Sequence, residues 1–219
     1  WYLMPNAGYY FMQNACEPVH IQLNLSDLKV LAINRTYKQV PGMIAEVDIF
    51  SIDSKSLFHE EKKISLSATE VKATSLLSSA LANIKGVSFV VLNLKNSIGK
   101  VVSHNAYWLS NDGDYKSLND LQKTKLETKL ITTGNNKSEK SWTIQITNTT
   151  SKLAFFIRPQ LMVEGEEVLP SYWSASYFTL APSEFTTITV SCPIVKLNGK
   201  RPEIKISGWN VDKQNLLIK

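Results

Sequence analysis

Along most of this chain apolar and polar residues alternate with a period of two. In "VHIQLNL" (19–25), Val19, Ile21, Leu23 and Leu25 fall on one face, and His20, Gln22 and Asn24 take the other. The alternation returns in "LKVLAIN" (28–34), "IAEVDIFSI" (44–52), "KKISLS" (62–67) and "VSFVVLNLK" (87–95), each closed by Asn, Asp, Ser, Gly or Pro. After "NAYWLSNDGDYKSL" it restarts in "WTIQITN" (142–148), where Trp142, Ile144 and Ile146 point inward. "LAFFIRPQLMV" (153–163), "FTTITVSC" (185–192) and "EIKISGW" (203–209) follow. Successive side chains on a strand face opposite ways, so this pattern predicts half-buried strands joined by short turns. The links are too short for βαβ crossovers, which argues against a parallel sheet.

One stretch departs from that period. "TEVKATSLLSSALANIKG" (69–86) sets Leu76, Leu77, Ala80, Leu81 and Ile84 at helical spacing. Both a short helix in a loop and an edge strand fit it. The strands divide near residue 111, in the polar and turn-rich "SNDGDYKSLNDLQKTKLE". The expected architecture is all-β: two tandem immunoglobulin-like antiparallel β-sandwiches, at 16–110 and 111–219. The disulfide and partner tryptophan of antibody domains are not present.

Composition leaves this picture in place. The 219 residues are 43% hydrophobic and 20% charged, which suits an ordinary folded core. The net charge is +5, from 24 basic residues of which three are arginines (Arg35, Arg158, Arg201). Lysines interleave with acids, as in "LFHEEKK" and "NNKSEK", and this describes a solvated surface, not a nucleic-acid face. No apolar run approaches the ~18 residues of a membrane span. Cys16 and Cys192 lie far apart, and a buried free thiol and a disulfide both remain open readings. Four Asn-x-Ser/Thr sequons stand at Asn24, Asn34, Asn136 and Asn148.

Candidate chemistry is sparse. His20, His59 and His104 have no second ligand at zinc spacing, so no metal ligand is assigned. No nucleophile elbow, phosphate loop, His-Glu-x-x-His or dinucleotide turn occurs, so neither a catalytic residue nor a cofactor is assigned. "VEGEEVLP" (163–170) reads as a hairpin whose acids keep a turn soluble. "NDGD" (111–114) reads as a linker turn. The densest aromatic segment is "PSYWSASYFTLAPSE" (170–184). There Tyr172, Trp173 and Tyr177 could stack on a sugar or contact a neighbouring domain; the flanking prolines and the alternation favour burial.

Several phrases carry a family resemblance. "MPNAGYYFMQNACEPVHIQLN" (4–24), "VLAINRT" (30–36), "SHNAYWLS" (103–110), "DYKSLNDL" (114–121), "AFFIRPQL" (154–161), "EVLPSYWSASYFTLAPSE" (167–184) and "ISGWN" (206–210) occur in this order. Together they resemble the C-terminal sandwiches of glycoside hydrolase family 2, in the branch of the exo-β-D-glucosaminidases, β-mannosidases and mannosylglycoprotein endo-β-mannosidases. One departure is Ser174-Ala175-Ser176 after Trp173, where the family often carries Ser-Asp-Asn. The resemblance implies that residues 1–15 are the exit segment of a catalytic (β/α)8 barrel lying outside this chain. It also implies retaining glycoside hydrolysis by two glutamates of that barrel, and no position here corresponds to either. This fragment is then a non-catalytic accessory piece, partnered by the barrel of its parent chain and without cofactor. Its setting would be secreted, periplasmic or cell-surface. A carbohydrate-binding module and an adhesin-type interaction module are the competing readings.

Overall fold

The computed structural model describes residues 3–218. Trp1 and Tyr2, the first aromatics of the opening segment, lie outside the described residues. The chain forms two compact units, residues 11–121 and residues 122–219 together with 1–10. These stand against the expected spans 16–110 and 111–219. Helix α1 (Ala7–Ala15) is divided between them after Tyr10. Asn6 starts this helix by accepting the Tyr9 N–H at 3.1 Å, the usual service of an N-cap asparagine.

In the first unit the strands are β1 (Val19–Asn24), β2 (Lys29–Asn34), β3 (Val40–Ser51), β4 (Ser56–Leu66), β5 (Val71–Leu76), β6 (Val87–Lys95) and β7 (Val101–Ser110). They form two antiparallel sheets, ordered β1-β2-β5 and β4-β3-β6-β7. The core between them holds Ile21, Leu23 and Val30 from one sheet with Val47, Ile49, Val90 and Leu92 from the other. The ambiguous stretch turns out to contain both elements, the strand β5 and a single helical turn α2 (Ser78–Leu81). Strand β6 is buried from Val87 to Leu94, and it is a central strand that pairs with β3 on one side and β7 on the other. Leu25, expected inward, is 60% exposed; β1 ends at Asn24, and the period has no meaning beyond the strand.

The second unit contains β8 (Glu127–Asn135), β9 (Glu139–Thr147), β10 (Ala154–Val163), β11 (Glu166–Glu167), β12 (Tyr172–Trp173), β13 (Phe178–Leu180), β14 (Phe185–Pro193), β15 (Glu203–Ser207) and β16 (Gln214–Leu217). One sheet runs β12-β14-β9-β8, and the other β11-β10-β15-β16, with β13 also on β10. All three residues expected inward, Trp142, Ile144 and Ile146, are fully buried. The predicted acidic hairpin is present: Val163 pairs with Glu166, and Glu164 and Gly165 both take positive φ. That is the geometry whose twist suits a two-residue hairpin loop. In "SGWN", Gly208 lies where a Cβ would come within 2.9 Å of the Phe155 carbonyl oxygen, so that phrase needs a residue without a side chain. The architecture is the expected pair of antiparallel sandwiches.

Both units repeat one corner that their sequences disguise. It is built from "NRTYK" (34–38) with "SATE" (67–70) in the first, and "NTTSK" (148–152) with "APSE" (181–184) in the second. The Asn34 amide donates to the carbonyls of Lys38 (2.8 Å) and Ser67 (2.7 Å). The Asn148 amide donates to Lys152 (2.6 Å) and Ala181 (3.0 Å). Each asparagine N–H is accepted by the glutamate carbonyl, from Glu70 or Glu184. Each glutamate side chain closes its own turn by accepting the N–H of Ser67 or Ala181. Thr69 and Ser183, at matching places, both have positive φ. Asn34 and Asn148 are 1% and 0% exposed, so two of the four sequons are structural corners.

Candidate functional site

The aromatic segment is pulled apart by strand geometry. Tyr172 pairs with Ser191 and Trp173 with Val190, so alternation sends Trp173 inward with Val190 and Tyr172 outward. Trp173 is 8% exposed, joins the core and donates its indole N–H to Ser171 Oγ at 3.2 Å. Tyr172 is 57% exposed. Tyr177 packs half-buried against the same core in a positive-φ conformation, its ring 5.2 Å from Phe156 and 6.0 Å from Tyr10. Burial pushes the Tyr10 phenol up to about 12. Arg158 holds Glu167 through paired contacts of 2.9 and 3.0 Å. The recess among Tyr10, Arg158, Glu167, Trp173 and Tyr177 has a volume of only about 10 Å³, no more than one water needs.

A second cluster closes the first sandwich. The Ile21 N–H donates to Ser103 Oγ (3.2 Å), the Leu23 N–H to the Tyr107 hydroxyl (3.1 Å), and the Asn105 amide to the Ile21 carbonyl (2.7 Å). Side chains of β7 therefore satisfy the open edge of β1, which would otherwise invite another strand. Ser103 also donates to Glu17 (2.5 Å), and His20 Nδ1 lies 2.9 Å from the same carboxylate. A serine, a histidine and a glutamate thus meet, but not as a catalytic triad. Both Ser103 and Glu17 face the same ring nitrogen, whereas a relay needs one partner on each. Asn105 occupies the other nitrogen at 3.3 Å, and Ser103 is 2% exposed. A cleft of about 320 Å³ lies beside this seam, lined by Phe11, Gln22, Leu25, Tyr107 and Trp108. We expect Ser103→Ala to cost about 2 kcal/mol, because it strands the Ile21 N–H; urea unfolding gives the cost, and faster hydrogen exchange at the Ile21 amide locates it.

The third cluster lies on the outer face of the β4-β3-β6-β7 sheet. Strand register sets Asp48 opposite His59 and Glu46 opposite Glu61. His59 Nδ1 lies 2.8 Å from Asp48, and Glu46 contacts Lys95 Nζ at 2.6 Å and the Asn93 amide at 3.0 Å. The hydrogen bond to Asp48 raises the His59 pKa above its ordinary value. Burial acts to raise the Glu46 carboxyl, but its bonds to Lys95 and Asn93 outweigh burial and hold it below the usual range. Spacing along one strand cannot reveal a neighbour on the next, so the histidines carry no partner in the sequence alone. The available signal was the alternation of acids in "AEVDIF" with "FHEEKK".

Comparison with known proteins bears on both units. Residues 105–211 match the family described as the exo-beta-D-glucosaminidase Ig-fold domain. The whole chain is similar to exo-beta-D-glucosaminidases of Amycolatopsis orientalis (27% identical, 98% of this chain, 23% of that protein) and Arthroderma benhamiae (29%, 98% and 26%). It is also similar to the mannosylglycoprotein endo-beta-mannosidase of Lilium longiflorum (24%, 97% and 29%). The crystal structure of Amycolatopsis orientalis exo-chitosanase CsxA superposes with a TM-score of 0.89 at 28% identity, over 99% of this chain and 28% of that one. The chain spans about a quarter of the length of the curated relatives it matches.

The resemblance read from the phrases is thereby borne out, and the fold gives those phrases physical content. "ACEPVHIQLN" and "SHNAYWLS" are far apart in sequence, yet they meet as the two sides of the seam. "ISGWN" ends in Asn210, which accepts the Phe155 N–H (2.8 Å) and donates to the carbonyls of Leu153 (2.8 Å) and Gln122 (2.9 Å). Of the two cysteines, Cys192 is a buried free thiol and Cys16 an exposed one. No helix among the described residues is long and apolar enough to cross a membrane.

Proposed function

We propose that this chain forms two non-catalytic accessory sandwiches of a larger retaining β-glycosidase, one acting on β-glucosaminides or β-mannosides outside the cell or in the periplasm. The observation that carries this reading is coverage: nearly all of this chain aligns with only 23–29% of each glycosidase relative. A retaining glycosidase needs two carboxyls about 5 Å apart astride a bond in a cleft. The carboxylates gathered here lie on a sheet face, and the serine–histidine–glutamate seam is locked by its own hydrogen bonds. The catalytic barrel of the parent is the natural partner of the N-terminal segment, where Leu3, Met4, Tyr9, Phe11 and Met12 are exposed. Their burial against a barrel would contribute about 25 cal/mol per Å² of apolar surface.

Incubation of this chain with aryl β-glucosaminides and β-mannosides is expected to give no turnover above buffer. Turnover that disappears when the chain's own Glu or Asp residues are replaced would overturn the proposal.

A further inference from the structure

We propose that the outer face of the β12-β14-β9-β8 sheet binds an extended, uncharged β-linked polysaccharide. Ile144 and Ile146 of β9 and Ile188 and Val190 of β14 are buried, so the alternate positions of both strands face outward. On β9 these are Ser141, Thr143, Gln145 and Thr147. Register sets Phe185 beside Thr147, Thr187 beside Gln145, Thr189 beside Thr143 and Ser191 beside Ser141. Tyr172 pairs with Ser191 on the same face. The result is a lane of hydroxyl and amide groups with an exposed ring at each end, Phe185 at 58% and Tyr172 at 57%. From Phe185 to the level of Ser191 the strand β14 covers roughly 20 Å.

Two properties of the lane select its occupant. The first is charge. Between the rings, β9 and β14 present no charged side chain on this face, in a chain that is 20% charged. Charge stands at the margins, as Glu127 and Lys129 on β8 and Glu139 past the Tyr172 end. A charged polymer meets no field of one sign here, and an uncharged one matches. The second is the kind of group. The centre of a protein–protein interface is rich in apolar side chains, and between Phe185 and Tyr172 there are none. Hydroxyls donate and accept alike, which suits a polymer bearing several hydroxyls on every unit. The two rings offer apolar faces to the C–H surfaces of β-linked pyranoses. An extended chain can reach both rings, whereas a single sugar reaches one. The Thr143 and Thr189 hydroxyls lie 3.2 Å apart, and Ser174 Oγ accepts the Thr189 N–H at 2.9 Å. The middle of the lane is thus ordered before a ligand arrives. The proposal concerns the second unit alone and stands whether or not the parent is a glycosidase.

The test is affinity electrophoresis of this chain through gels containing soluble mannan or β-glucan, with glycol chitosan as the charged comparison. Retardation by a neutral polymer is expected. The apparent affinity should fall roughly two- to tenfold in Phe185→Ala and in Tyr172→Ala, and the double variant should run as in a blank gel. Free mannose or glucose at the same sugar concentration should not compete. Both rings are exposed, and thermal unfolding checks that each variant stays folded. Absence of retardation by either neutral polymer, retardation by glycol chitosan alone, or retardation unchanged in the double variant would overturn the proposal. A dimer in sedimentation that the double variant dissolves would assign the face to a second copy of this chain, and would overturn it as well.

Discussion

Replacement of Trp173 by alanine is expected to lower stability by about 4 kcal/mol, whereas Tyr172→Ala, its immediate neighbour, should change it by less than about 0.5 kcal/mol. The contrast follows from one alternation along β12. Trp173 turns into the core beside Val190, and Tyr172 turns out beside Ser191. Truncating the tryptophan removes a large buried apolar surface and leaves a cavity that the surrounding core collapses only partly to fill. Urea denaturation midpoints of the two variants measure the difference directly. The same contrast separates packing from sugar recognition. Retardation on a mannan or glucan gel that is lost in Tyr172→Ala, with stability intact, would assign the sugar role to this segment. Loss seen only in Trp173→Ala would report unfolding.

The second large effect belongs to a side chain that looks unremarkable in the sequence. Asn148→Ala is expected to cost about 3 kcal/mol, and the surface sequon variant Asn136→Ala less than about 1 kcal/mol. The Asn148 amide serves the carbonyls of Lys152, Leu180 and Ala181, and its oxygen accepts from the Thr150 N–H (3.2 Å) and hydroxyl (2.8 Å). Alanine would withdraw a buried hydrogen bond from each of these groups, and an unmade buried hydrogen bond costs more than a made one contributes. Asn136 also bonds its own turn, at Ser138 and Glu139, but there water can replace it. Paired unfolding curves test the ranking. A loss at Asn148 no larger than that at Asn136 would show that the corner contributes little.

The period-two pattern was enough to assign the all-β class, the inward set Trp142, Ile144 and Ile146, and the Glu164–Gly165 hairpin. Each depends only on neighbours within one strand or turn. The family phrases were legible too, as strings whose purpose was hidden. Their purpose is mutual: Glu17 and His20 meet Ser103 and Asn105, and Asn148 meets the segment ending in Glu184. Burial of a polar side chain depends on partners brought from elsewhere in the chain, and the local period has no access to them. For this reason nothing local to His20, Asn34 or Asn148 announces burial, although folding leaves them only 2%, 1% and 0% exposed.

The meeting of Glu46, Asp48, His59 and Glu61 lies wholly on that second level. Alternation put Glu46 and Asp48 on one face of their strand and His59 and Glu61 on one face of the next. A slip of a single residue would have sent either pair to the opposite face. Sequence alone determined which side chains share a face of each strand, because that is a property of the extended backbone. Tertiary structure decided which residue stands opposite which, because register is set by the core packing and turns of the entire sandwich.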